Sequence, residues 1–364
     1  MKKTLLLTTA LVGALSIIGS ANAELTIGAH VKTNYKIAER TGALSTQSGF
    51  SQERQLDIKS SGDLKNGLKY AAGFSLEQDA GEAGFDGGEG NYVNIISGNT
   101  TFTLGNDHIL NGDYNIVPRV NENMADEIAG LAPNQKSGTA VDTTGSSLFR
   151  DNDIKFSQSL GTIKENMGLG VVQKTDIGTV AFNFVPSAKV KGLTSTAAVN
   201  DITTSDTGVG DDTAKSAYEI MFVGGFGVPG LNTAINYSSV AKDGTDTQDA
   251  EHKAVGVSYT MGAVKFGVEI AQNEAGNKAE TDTQEIGIVY KINDNASIGV
   301  GQTKTEGKTS AGADEANKEK IKYIQAGYNL GAIGLGVSYI DASDLGYVAN
   351  NDTKVWVFKA ATKF

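Results

Sequence analysis

The chain of 364 residues contains no cysteine, four prolines and one tryptophan. Without thiols it has no disulfide framework, no thiolate zinc site and no cysteine nucleophile. So few prolines exclude a Pro-rich linker protein. The 45 glycines follow no strict period, which excludes collagen. Basic residues are outnumbered, 31 against 42 acidic, and a net charge of −11 argues against nucleic acid as a partner. Past the N-terminal segment no run reaches the ~18 consecutive apolar residues of a spanning helix. With 39% hydrophobic residues and a mean hydropathy of −0.21, a polytopic helical membrane protein is excluded. A membrane protein built from strands is not.

The N-terminus carries the one long apolar run. Met1-Lys2-Lys3 is a short basic start, Leu5 to Ile18 is mostly apolar, and Ala21-Asn22-Ala23 supplies small residues where a signal peptide is cut. The competing reading is a buried N-terminal helix. The basic start and A-x-A end favour a signal peptide over residues 1–23 and an exported chain over 24–364. Losing Lys2 and Lys3 takes the formal charge from −11 to −13.

Beyond it, hydrophobicity repeats every second residue, the period of a strand. Leu25, Ile27, Ala29, Val31 and Tyr35 alternate with Thr26, Gly28, His30, Lys32 and Asn34. The same pattern recurs from Leu68 to Leu76, Val264 to Ile270, Ile286 to Ile292 and Ile333 to Tyr339. A last strand puts Trp356, Phe358 and Phe364 on one face. Ten residues tilted at ~45° rise about 23 Å, close to the ~25 Å apolar band of an outer-membrane barrel. Tyrosines cluster at strand ends (Tyr35, Tyr70, Tyr237, Tyr259, Tyr290, Tyr339), where rings would sit at headgroup level. Connections alternate between short turns such as Met261–Ala263 and longer polar loops such as Thr305–Lys318. These features predict an all-β, antiparallel transmembrane barrel. A soluble β-sandwich would alternate as well, because periodicity does not say which face points inward.

Candidate strands run from 25–36 to 353–364 and come to an odd number, whereas a bacterial barrel has an even one. The conflict falls between Ser159 and Ile177. Assigning Met167 to Lys174 to an insertion, and keeping a strand near 152–158, leaves a wall of 16 strands.

Gly62-Asp63-Leu64-Lys65-Asn66-Gly67-Leu68-Lys69-Tyr70, running on to Leu76 and Glu77, resembles the second hairpin of the general porins of Gram-negative bacteria. Phe102-Thr103-Leu104-Gly105 resembles their strand before the long third loop, and Arg150-Asp151-Asn152-Asp153-Ile154-Lys155-Phe156 the strand after it. Phe364, with Phe358 and Trp356, matches the terminal aromatic signal read by the barrel-assembly machinery. The resemblance implies a homotrimer in outer-membrane lipid, with the loop from Asn106 to Ser147 folded into the lumen as a constriction. One departure stands out. Where the family carries an inward arginine on its second strand this chain has Gln55, and its arginines are Arg40, Arg54, Arg119 and Arg150 alone.

A 16-stranded barrel is too wide for side chains to fill and leaves a water-filled channel. Small or charged residues suit its inward positions, among them Gly28, His30, Ser75, Glu77, Lys265, Glu269, Glu285 and Lys291. The constriction would set loop carboxylates Asp107, Asp113, Glu122, Asp126 and Glu127 against wall lysines Lys32, Lys59 and Lys69. That arrangement makes a transverse field that orients dipolar solutes, and the net charge predicts a mild cation preference. Enzymatic chemistry finds no support: His30, His108 and His252 lack metal-ligand spacing, and Gly224-Gly225-Phe226-Gly227 reads as a turn, without the Lys-Ser/Thr of a phosphate loop. No cofactor or metal is expected. The leading expectation is passive diffusion of small hydrophilic solutes and ions. A solute-selective channel with a binding site in the constriction, and a surface structural or adhesion barrel, remain the alternatives.

Overall fold

The computed structural model describes residues 24–40, 47–79, 86–105, 116–120, 168–188, 215–241, 248–274 and 279–364. The alternating segments become antiparallel strands. The first half of the wall is β1 (Glu24–Arg40), β2 (Gln47–Asp63), β3 (Lys69–Asp79), β4 (Asp86–Ser97), β5 (Thr100–Gly105), β6 (Gly168–Thr175), β7 (Gly178–Ala188) and β8 (Lys215–Gly224). The second is β9 (Leu231–Val240), β10 (Ala250–Met261), β11 (Val264–Glu274), β12 (Glu280–Lys291), β13 (Ala296–Lys308), β14 (Glu319–Leu330), β15 (Ile333–Ser343) and β16 (Thr353–Lys363). Each pairs with its sequence neighbours, and β16 pairs with β1 from His30↔Lys363 to Arg40↔Thr353, closing a barrel of these sixteen strands. Phe364 completes the closure: its amide donates to the Ala29 carbonyl at 2.9 Å, and its carbonyl accepts from the Ala29 amide at 2.7 Å.

The register decides which face points where. Directly paired residues share a side, so the ladder His30↔Gln55↔Glu77 runs along the lumen, while Ile27↔Ile58↔Phe74 runs along the outside. The outward rows are exposed and apolar around the whole wall: Leu25 is 64% exposed, and Phe102, Leu169, Phe182, Ile235, Val268, Ile288 and Val300 are exposed as well. A sandwich hides such rows between its sheets. Here they form an apolar belt far larger than any patch a soluble protein tolerates, and lipid is the solvent that fits it. Aromatic pairs edge the belt, Tyr259–Phe266 toward the short turns and Tyr35–Phe50, Tyr218–Tyr237 and Tyr339–Trp356 toward the long loops.

The short connections all lie on one rim. In the β2–β3 turn Asn66 (φ 65°) and Gly67 (φ 77°) are both left-handed, which explains the Asn-Gly of the hairpin motif. The Gly224–Gly227 stretch forms part of the turn between β8 and β9, as its sequence suggested.

One expectation is corrected. Met167 to Lys174 is not an insertion: Gly168–Thr175 is wall strand β6, pairing with β5 from Thr100↔Gln173 to Gly105↔Gly168 and with β7 on its other side. β5 and β6 are direct neighbours in the ring, so the number sixteen holds with a different member. The candidate strand near 152–158 lies outside the described residues. The alternation in β6 is weak because Gly168 and Gly170 occupy its inward positions, leaving Leu169 and Val171 as its outward signal.

The two faces make opposite predictions for a charge. Val268→Arg places a guanidinium in the apolar belt and should lower the stability of the folded barrel by about 2–4 kcal/mol. Thr26→Arg, on an inward position, should cost close to nothing. Urea titration of protein refolded into lipid vesicles measures both.

Candidate functional site

Inward positions carry the polar chemistry. Lys32 donates to Glu53 Oε2 at 2.6 Å, and His30 Nε2 meets Glu53 Oε1. Asp57 accepts from Ser75 Oγ at 2.7 Å and from Gln55 Nε2 at 2.9 Å. Gln55, at the place of the family's arginine, thus serves as an amide donor to a neighbouring carboxylate. On the far side of the wall Glu219 is clamped by Asn236 Nδ2 at 2.6 Å and Asn183 Nδ2 at 3.0 Å. Glu269 and Glu285 stand directly opposite each other on β11 and β12.

Between β5 and β6 the chain enters the lumen. The segment Ile116–Val120 lies against the inward faces of β11 to β14, and glycines make room for it. A Cβ on Gly267 would stand 2.7 Å from the Ile116 carbonyl oxygen, one on Gly287 2.7 Å from Val117 Cγ1, and one on Gly299 2.8 Å from Val120 Cγ2. Ile116 is fully buried among inward Met221, Ala234, Ala254 and Ala271. Arg119 supplies the polar anchor. Its Nη2 lies 2.5 Å and its Nε 3.0 Å from Glu285 Oε1, and the side chains of the pair are only 8% and 1% exposed. Tyr323 adds a hydroxyl to the same oxygen at 3.1 Å and sets its ring 5.5 Å from the guanidinium. The Val120 amide donates to Gln325 Oε1 at 3.1 Å. A charge so buried persists because its partner and a hydroxyl satisfy it.

A second loop also turns inward. Between β15 and β16 a single turn, Leu345–Tyr347, places fully buried Leu345 among inward Ile321, Ile340, Val355 and Val357. The lumen at that end is therefore partly filled by an apolar cluster beside Lys36, which is 2% exposed.

The sequence-derived site residues fall into three groups. Lys32, Lys59 and Lys69 occupy inward positions, but not side by side: Lys32 is level with Glu53, Lys59 faces Gly73 nearer the short turns, and Lys69 opposes Asp63 at the rim. Asp107, Asp113, Glu122, Asp126 and Glu127 lie outside the described residues, as do Arg150 and Asp151. Trp356 and Phe358 are outward on β16, stacked with centroids 6.4 Å apart, and Phe364 is exposed at its end. The sequence reading missed the loop seat formed by Arg119, Tyr323 and the glycines. Glycine inside a strand marks close backbone approach, and Gly267, Gly287 and Gly299 on inward positions of consecutive strands were the available signal. His252 is an inward wall residue whose Nδ1 lies 2.6 Å from Asn273 Oδ1.

A closed wall with lipid outside, charge inside and a loop seated in the lumen is an architecture that can be compared directly. The model of the Gram-negative porin family matches residues 8–310. The chain belongs to that family. This porin is an outer-membrane β-barrel channel. Among curated protein sequences none matches it. Its fold is similar to the anion-selective porin of Comamonas acidovorans (12% identity, TM-score 0.63, 94% of this chain and 100% of that one). It is also similar to the OmpF of Salmonella typhi solved with daunomycin (12%, 0.62, 93% and 97%). The trimer form of OmpT from Vibrio cholerae is a third (11%, 0.60, 94% and 99%).

Removing the loop's anchor should change the pore. Arg119→Ala leaves the Glu285 carboxylate beside Glu269 without its guanidinium, a loss worth about 3–5 kcal/mol for a buried pair. Gly287→Val displaces Val117 and Pro118 from their seat. Both variants should give larger, noisier single-channel currents than the parent, and unchanged currents in both would show that this segment does not narrow the lumen.

Proposed function

We propose that this porin is a general diffusion channel, passing small hydrophilic solutes and ions without a cofactor. The observation that carries the reading is the two-faced wall: the closed barrel presents lipid-compatible rows outward and carboxylates, amides and lysines inward, and sixteen strands are too many for side chains to fill. The loop segment tied to β11–β14 is the element that restricts size. Carboxylates of the loop from Asn106 to Ser147 (Asp107, Asp113, Glu122, Asp126, Glu127) complete the constriction, with Lys32, Lys59 and Lys69 contributing to the field across it.

The proposal extends to ion choice and assembly. Inward Asp57 and Glu77, with the acidic net charge, support a mild cation preference. The unit in lipid is a homotrimer. Residues 1–23 are removed on export, and Trp356, Phe358 and Phe364 present the C-terminal strand to the barrel-assembly machinery.

Stepwise conductance of the purified protein in a planar bilayer tests this. Large ohmic steps closing in thirds are expected, with a reversal potential of cation sign in a potassium chloride gradient. A folded, inserted barrel that passes no current would overturn the channel reading in favour of a structural or adhesion role. Flux that saturates with solute would favour a solute-selective channel. Mass spectrometry of the same preparation should give a chain beginning at Glu24.

A further inference from the structure

The lumen is not uniform along its axis. Near the long loops and at mid-height the lumen carries Glu53, Asp57, Glu219, Glu269 and Glu285 together with Lys32, Lys36 and Arg119, of which Lys32 pairs with Glu53 and Arg119 with Glu285. Near the short turns its inward positions carry lysine. Lys59, Lys69, Lys174, Lys265, Lys291 and Lys363 are spaced around that mouth, with Lys359 just above Lys363. The carboxylates at this level are inward Glu24 and Asp63 and, in the β12–β13 turn, Asp294, which lines the hollow described next. Among the described residues Lys265 and Lys363 form no ion pair, and no partner occupies Lys59, Lys69 or Lys174 either. Lys291 holds Asp294 at 2.8 Å, but both are well exposed, and a pair of that kind is worth little and exchanges readily for another anion.

Between β12 and β16 this mouth deepens into a hollow of about 740 Å³. Lys291, Lys359 and Lys363 surround it, Asn293, Asn295 and Asn329 add amides, and Gly327, Gly334 and Gly336 leave the space open. Val120 of the seated loop segment also lines it. The volume lies within the range of small-molecule sites. Lys363 is the ammonium without an ion pair among the described residues, Lys291 shares the lining with its exposed partner Asp294, and Lys359 has a partner of its own; with the amides around them they suit an anion with several oxygens that competes for these lysines, since lysine binds phosphate and carboxylate as a mobile point charge. The hollow is on the inward face, so what reaches it is a solute in the channel and not a lipid of the belt.

We propose that the short-turn mouth of the lumen is an anion-holding vestibule, seated in the hollow between β12 and β16, that takes small soluble polyanions such as phosphorylated or multiply carboxylated solutes. It rests on the channel reading for access, and it gives the pore an electrical direction. Polyanions are concentrated at one mouth of the lumen. At 0.1 M salt the field of these lysines reaches about 10 Å, so the effect weakens as salt rises.

Inorganic pyrophosphate is the probe. Equilibrium dialysis against the folded protein in a neutral detergent at 0.1 M potassium chloride should show binding that is lost at 1 M. The triple variant Lys291→Gln, Lys359→Gln, Lys363→Gln should weaken it at least tenfold. Gly334→Leu should do the same with every lysine retained, because the nearest atom to a Cβ there is 3.9 Å away and the added side chain would occupy the hollow. Lys320→Gln, Lys322→Gln, Lys354→Gln changes the net charge equally on outward, exposed positions at the other end and should leave binding unaltered. In bilayers, pyrophosphate should reduce current at about tenfold lower concentration from the short-turn side. Because the chain has no cysteine, a single thiol introduced as Ala313→Cys in the opposite loop identifies that side. No binding by the parent protein, or equal losses in the inward and outward triple variants, would overturn the proposal. So would the same affinity after Gly334→Leu, which stands in if the inward triple variant fails to fold. Conductance without sided block removes this inference alone. An absence of conductance removes the channel reading, and dialysis still decides whether the hollow holds the anion.

Discussion

In hydrocarbon a backbone amide or carbonyl has no water to bond, so a sheet that crosses a membrane must have no free edge. That constraint organises this molecule. Each strand of the ring is paired on both sides, and the pairing of Ala29 with Phe364 satisfies the last residue of the chain. Once the ring is closed, the strict alternation of strand side chains sorts every residue to lipid or to lumen, and composition follows: branched and aromatic residues outward, charge, amide and glycine inward. The negative net charge and modest hydropathy that look unlike a membrane protein are the consequence of an interior as wet as the outside is dry.

The interior has its own packing problem. A loop that enters the lumen carries backbone polar groups and apolar side chains into a space walled by strands. The wall accommodates it by removing its own side chains where Ile116–Val120 passes, and by supplying Glu285, Tyr323 and Gln325 where the segment has polar groups to satisfy. The Leu345 turn solves the same problem differently, with an apolar socket of Ile321, Ile340, Val355 and Val357. Among the described residues, both devices leave the lysine-rich mouth open, while the mid-lumen carboxylates Glu53, Glu219, Glu269 and Glu285 are buried.

Much of this was readable beforehand, for physical reasons that also explain the failures. Alternation over nine to twelve residues is a strong signal, so strands such as Val264–Glu274 and Ile333–Ser343 were found within a few residues of their ends. Inward residues including Lys32, Glu77, Glu269 and Lys291 were placed on the correct face because parity along one strand fixes it. The direction of that face was not in the pattern, since a sandwich and a barrel share it; only register around the full ring distinguishes them. Strand β6 was misassigned because two inward glycines erase half of an eight-residue signal while a better motif lay upstream. The loop seat escaped because Ile-Val-Pro-Arg-Val has no periodicity of its own, and the glycines that receive it are spread over three strands. Only the fold brings them together. Arg119 was noted as a scarce arginine, but nothing local to it names Glu285 as its partner 166 residues away.

The pairing order carries a kinetic consequence as well. Every contact between neighbouring strands joins segments adjacent in sequence, most strictly through turns of two or three residues, except the seam between β1 and β16. Closing that seam spans a loop roughly a hundredfold longer than a tight turn, which adds about 4 kcal/mol of chain entropy to the one step that seals the ring. Until then the barrel is a meandering sheet with two live edges, at β1 and at β16. Apart from the long connection between β5 and β6 it can grow hairpin by hairpin from local information, and its most expensive event is the last. A cellular factor that handled those two edges alone would be handling the largest difficulty of the fold.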